Sequence, residues 1–147
     1  VAHIALDFRI VWRDDRRAMD TSVIQVPRRA KRAAGTVVER FAAAVARAEG
    51  IHLPDLAALD QLAVRTRNSL YQITLLSPVD GRVLVQGGAF FPVPREAHVS
   101  GSTLGGSLLK LQWIGCGFSL EFLYEHSRIV TTRVQEIALD RHGRRAD

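Results

Sequence analysis

The feature that most limits what this chain can fold into is its second half. From Val64 on, short alternating apolar segments follow one another, punctuated by glycine and proline, with no helical period between them. "VRTRNSLYQITLL" is rich in β-branched and aromatic residues and puts Tyr71, Ile73 and Leu75 on one face. "SPVDG" at 77–81 carries the Pro and the Asp-Gly of a hairpin turn. "RVLVQGGAF" returns as a second strand, and "AHVSGS" reads as a short third. "SLLKLQWIGCGFSLEFLY" is too long to stay straight in a small sheet, so Gly115 and Gly117 are expected to mark a bulge or bend. "EHSR" at 125–128 turns the chain, and "IVTTRVQEIAL" closes the series. Strands with glycine-rich corners and no intervening helix predict a small antiparallel β-barrel or strongly bent sheet over 62–140. Its expected core is Tyr71, Ile73, Val85, Leu111, Trp113, Phe118 and Ile129.

The first half reads differently. Ile4, Leu6, Phe8, Ile10 and Trp12 alternate with Ala5, Asp7, Arg9 and Val11, the period of a half-buried strand. A charged connection, "RDDRRAMDTS", follows, and "VIQV" offers a short strand before Pro27. Then Val37, Phe41, Val45 and Ala48 recur at helical spacing, with Val38 and Ala44 widening the stripe. Two readings fit: one helix from about 28 to 49, or a basic arm over 1–35 followed by a helix from Thr36. Thr36 and Glu39 match a capping box, and Gly50 suits the residue past the last turn. Positive charge at a helix N-terminus opposes the macrodipole, which favours the arm. Pro54 and Asp55 open a turn or two within a helical segment of 36–61. The fold class is therefore α+β: an N-terminal strand and helix leading into the barrel, as one domain over 1–147.

A chain of 147 residues with 47% hydrophobic and 24% charged content has the composition of a globular domain. No apolar run approaches the roughly 18 residues of a membrane helix, and "VAHIALDFRIVW" lacks the basic start of a leader. A cytoplasmic protein without a membrane partner is expected. The formal charge of +5 is concentrated at the ends. Residues 1–35 hold eight basic and four acidic residues, while 62–140 hold seven and six.

Catalytic motifs are weak. In "GSTLGGSLLK", Gly101 and Gly106 have Walker-type spacing, but Ser107 replaces the lysine and Lys110 comes too late. The five histidines, at 3, 52, 98, 126 and 142, are scattered and match no metal motif. Ser102, His98 and Asp80 form a triad only on paper. Cys116 lies between two glycines and reads as a buried small residue. Glu121, alternating with Leu120 and Phe122, reads as an outward-facing strand residue.

The spaced elements "TRNS", "GGAFFP", "GSTLGGS" and "IVTTRVQEI" resemble small uncharacterised bacterial proteins with a β-rich C-terminal domain. The resemblance covers about 62–139 and implies no activity and no functional residue. The residues themselves point to a non-catalytic binding module that self-associates as a dimer, with no cofactor, metal or small-molecule ligand. Its expected interface is Ile4, Leu6, Phe8, Ile10 and Trp12, with Phe90 and Phe91 as further candidates. The alternative is RNA or DNA binding. Arg28, Arg29, Lys31 and Arg32 would supply phosphate contacts, and Arg65 and Arg67, in phase with Tyr71, a stacking face.

Overall fold

A computed structural model of the chain describes residues 10–12, 28–105 and 107–143, with side chains from Val37 onward. Ile4, Leu6, Phe8, the strand expected at "VIQV" and the basic tail beyond Gly143 lie outside the described residues.

A short strand β1 (Ile10–Trp12) and one helix α1 (Arg28–Arg47) precede the sheet. The chain continues through β2 (Gly50–His52), a 3-10 turn (Leu53–Asp55), β3 (Gln61–Thr66), β4 (Leu70–Ser77) and β5 (Arg82–Gly87). Then come β6 (Phe91–Thr103), β7 (Leu108–Leu111), β8 (Trp113–Gly115), β9 (Ser119–Tyr124) and β10 (Ser127–Asp140). Neighbours pair antiparallel in the order β1-β7-β6-β5-β4-β3-β10-β9, and β6 also pairs β9. That last pairing turns the sheet into a ring, a near-barrel, as the strand pattern predicts. Among the described residues of 64–139 there is no helix.

The two long strands close the ring. β6 pairs β5 through its first half (Val85↔Arg95) and β9 through its second (Ser102↔Leu120). β10 likewise pairs β9 first (Ile129↔Phe122) and β3 afterwards (Ile137↔Val64). Register shifts in both strands supply the bend. The strand expected at "AHVSGS" is thus longer, taking in Pro92 and Pro94, which stay exposed near its start.

Inside the ring lie Leu62, Val64, Tyr71, Ile73, Leu75, Val83, Val85, Phe91, Val99, Leu120 and Phe122. A second, smaller cluster joins Phe41 and Val45 of α1 to Leu108, Trp113 and Phe118. The expected core is buried except Leu111, which is only half-buried. Asp60, fully buried, ties the ring's lower loop together. Its carboxylate accepts from the Ala57 N–H at 2.9 Å and the His142 N–H at 2.8 Å.

Three local expectations need correction. α1 is continuous from Arg28, so "RRAKR" is helix and Thr36 lies inside it. Arg, Ala and Lys are strong helix formers, and the helix runs through them despite a macrodipole cost of about 0.3–1 kcal/mol per cation. Gly50 is a β2 residue paired with Gly115, rather than a helix cap. The long segment 107–124 breaks into three strands at Gln112 (φ 54°) and Gly117 (φ 90°), while Gly115 lies within β8.

Candidate interaction surfaces

The residues with catalytic chemistry are dispersed. Ser102 is fully buried; its hydroxyl donates to the Trp113 carbonyl at 2.7 Å and accepts from the Gly115 N–H at 3.2 Å. That pins β8 beneath β6. His98 is exposed on β6, opposite Arg82. Asp80 accepts from the Ser77 hydroxyl at 2.9 Å within the β4–β5 turn. The three are not brought together. In the glycine-rich loop, β7 rather than a helix follows, and Lys110 is buried within that strand. Among the described residues, no group of three or more His, Cys, Asp or Glu is placed to hold a metal ion. Nor is any described helix long and apolar enough to cross a membrane.

Cys116 is half-buried and lines a cleft of about 250 Å³ with Glu49, Ile51, Gln135 and Glu136. Burial raises its thiol pKa first, and the carboxylates of Glu49 and Glu136 raise it further. The group is a poor nucleophile, although it is half-buried rather than buried as its sequence setting predicts.

Glu121 departs from its expected exposure. It does face away from Leu120 and Phe122, yet only 1% of its side chain reaches solvent. The outer face is covered at this point, since Gly101 opposite and nearby Thr103 are also buried. Arg128, displaced diagonally across the β9–β10 hairpin, compensates the charge with Nε 2.7 Å from Glu121 Oε1. Sequence reasoning missed this pair, because parity reports a face and not what lies over it.

The stacking face does not form. "TRNS" is a hairpin turn: the Thr66 N–H donates to the Ser69 carbonyl at 2.8 Å, and the Ser69 N–H to Thr66 Oγ1 at 3.1 Å. Arg65 therefore sits on the outer face of β3, 3.9 Å from Glu136 of β10. Arg67 is exposed in the turn itself. Tyr71 points the other way, into the core, tilted against Phe122 at 5.8 Å. Burial raises its phenol pKa, and a hydrogen bond with Ser69 opposes the rise. Among the described residues, no aromatic side chain stacks on either arginine.

Of the adjacent phenylalanines, Phe90 is 59% exposed and Phe91 fully buried. Phe91 meets Phe122 and Tyr124 edge-on at 5.3 and 5.4 Å, so it is a core residue and no longer an interface candidate. Gly87 (φ 138°) and Gly88 (φ 64°) fix the turn that carries them. A Cβ on Gly87 would lie 2.1 Å from the Leu70 carbonyl oxygen, which leaves no room for another residue. Around the buried anchor, Ala89, Phe90, Pro92, Val93 and Pro94 are all exposed.

At the N-terminal end, Ile10 and Trp12 belong to β1, which pairs with β7 of the same chain (Ile10↔Lys110, Trp12↔Leu108). Arg28, Arg29, Lys31 and Arg32 occupy the first turns of α1, ahead of the exposed Arg40 and Arg47. The described apolar side of the helix packs on Trp113 and Phe118, next to a groove of about 340 Å³ lined by Val37, Phe41, Leu104 and Leu108. No family model, curated protein or solved structure matches the chain.

Proposed function

We propose that this chain is a non-catalytic binding module that self-associates through the apolar strip at 89–94. The observation that carries the reading is five exposed apolar residues arranged about one buried anchor, Phe91. A side chain as large as Phe90, held outward on a turn fixed by two glycines, is a preformed contact rather than a frayed loop. Covering its exposed part contributes about 2–3 kcal/mol per copy, at about 25 cal/mol per Å². Pro92 and Pro94 donate no N–H, so this stretch of β6 is a poor template for strand addition. The contact is therefore made by side chains, strip against strip about a two-fold axis. β1 is a weaker candidate for exchange between copies, because its described residues already pair within their own chain.

Light scattering at high micromolar concentration tests the reading. Wild type is expected to be dimeric, and Phe90→Ser, which removes an exposed side chain, to be a folded monomer. A monomeric wild type overturns self-association. A dimer that survives both Phe90→Ser and Val93→Ser overturns the strip.

A further inference from the structure

A second surface with a distinct charge pattern lies on α1. Its apolar stripe is already used, since Phe41 and Val45 are 4% and 5% exposed against Trp113 and Phe118. On the opposite side basic residues outnumber acidic ones five to one. At 3.6 residues per turn, Arg28, Arg29, Arg32, Arg40 and Arg47 fall within an arc of about 120°, with Lys31 about 60° outside it. The one acidic residue of the helix, Glu39, falls inside the same arc, between Arg28 and Arg32 in projection. No arginine of α1 has an acid three or four residues away within the helix, so helical ion pairs do not neutralise the row. The first turn holds no acid either, and its cations oppose the macrodipole. This pattern works against the helix itself. It is the opposite of the outer β-face, where Arg65 faces Glu136 and Arg82 faces Glu96 at 3.9 and 3.8 Å.

We infer that this side of α1 is a binding site for the phosphate backbone of a duplex nucleic acid, with Arg40 and Arg47 among its contacts. From Arg29 to Arg47 the row runs about 27 Å, at 1.5 Å per residue. That is a linear array for a linear polyanion. A membrane surface fits less well, because an interfacial helix inserts its apolar face and the described apolar face here is buried in the domain. A single strand also fits less well. Binding without sequence readout there rests on aromatic stacking, and Phe41, Trp113 and Phe118 beside the helix are all buried. Charge alone remains, and charge alone recognises a duplex by its phosphates, independently of sequence. The inference does not depend on the Phe90 strip.

Fluorescence anisotropy with a labelled DNA duplex of about 20 base pairs tests it across salt concentrations. Five contacts predict a slope of log K on log salt near −4.5, or a loss of about 500-fold between about 50 and 200 mM. Arg40→Gln with Arg47→Gln lowers the slope to about −2.7, and lysine at both positions restores it. Both residues are exposed, so circular dichroism is expected to report an intact fold. Any of four results overturns the site: no duplex binding at low salt, a slope unmoved by the double variant, tighter binding of single strands, or preference for anionic vesicles.

Discussion

Replacing Gly115 with alanine is expected to destabilise the protein because of one side chain two residues away. Trp113 and Gly115 share a face of β8, and Gly50 pairs opposite Gly115 on β2. The indole lies across that glycine pair. A Cβ on Gly115 would stand 2.0 Å from Trp113 Cη2, and one on Gly50 would stand 2.4 Å from the indole Nε1. Neither glycine has a positive φ, so the requirement is space and not backbone conformation. The ring itself is held from the other side, meeting Phe118 edge-on at 5.1 Å, which in turn meets Phe41 at 5.7 Å. Moving it disturbs the contact that seats α1. Overpacking by one methyl costs about 1–3 kcal/mol. Alanine regains about 0.5–1 kcal/mol of the entropy that glycine loses in a strand. The net loss is about 1–2 kcal/mol, or about 3–6 °C in Tm for a chain of this size. Urea titration of Gly115→Ala in wild type and in Trp113→Leu measures it as a double-mutant cycle. In the leucine background the methyl has room, and the penalty is expected to vanish or change sign. An equal penalty in both backgrounds would show that the backbone, not the indole, excludes the side chain.

Two further outcomes follow from a buried charge and a half-buried thiol. Glu121→Ala leaves Arg128 in a covered site and is expected to cost about 3–5 kcal/mol by urea titration, whereas Glu121→Leu with Arg128→Met recovers most of the loss; a small effect from the single change would mean the pair is solvated. Cys116 has a thiol pKa raised by burial and by Glu49 and Glu136, so its alkylation by iodoacetamide in the native chain should lag that in the unfolded chain, and Glu49→Gln with Glu136→Gln should narrow the gap. The sign for stability is that of a raised acid: the contribution is full below the unfolded thiol value, near pH 8.5, and is lost as pH rises through the folded one. Equal alkylation rates in the two states would refute this.

The ring was legible because its signals are local. Period two and turn chemistry recur within each eight to twelve residues, and neither depends on knowing what a strand packs against. What failed was parity across an unrecognised turn. "VRTRNSLYQITLL", taken as one strand, puts Arg65, Arg67 and Tyr71 on one face. The Thr66–Ser69 hydrogen bonds fold it into a hairpin, and Tyr71 goes into the core. Phe90 and Phe91 pose the same problem on a smaller scale. Adjacent residues face opposite ways, and only the register set by Gly87↔Phe91 decides which of them is inside.

The candidate sites were less legible than the fold because they depend on boundaries and coverings. Alternation gives Glu121 the correct face and the wrong exposure, since a strand's pattern carries no information about what lies over its outer side. The basic run shows the same dependence through the helix start. A helix beginning at Thr36 carries Arg40 and Arg47 as two isolated surface charges behind a separate basic arm. Beginning at Arg28, the same residues join Arg28, Arg29 and Arg32 in one row along a rigid rod. The propensity of "RRAKRAA" decides between those two surfaces, a matter of a few tenths of a kcal/mol per residue. A single arginine on a surface binds a phosphate weakly. On the proposed duplex, five on one side of a helix would release counterions together, and the sum, not any one contact, would set the affinity and its salt dependence.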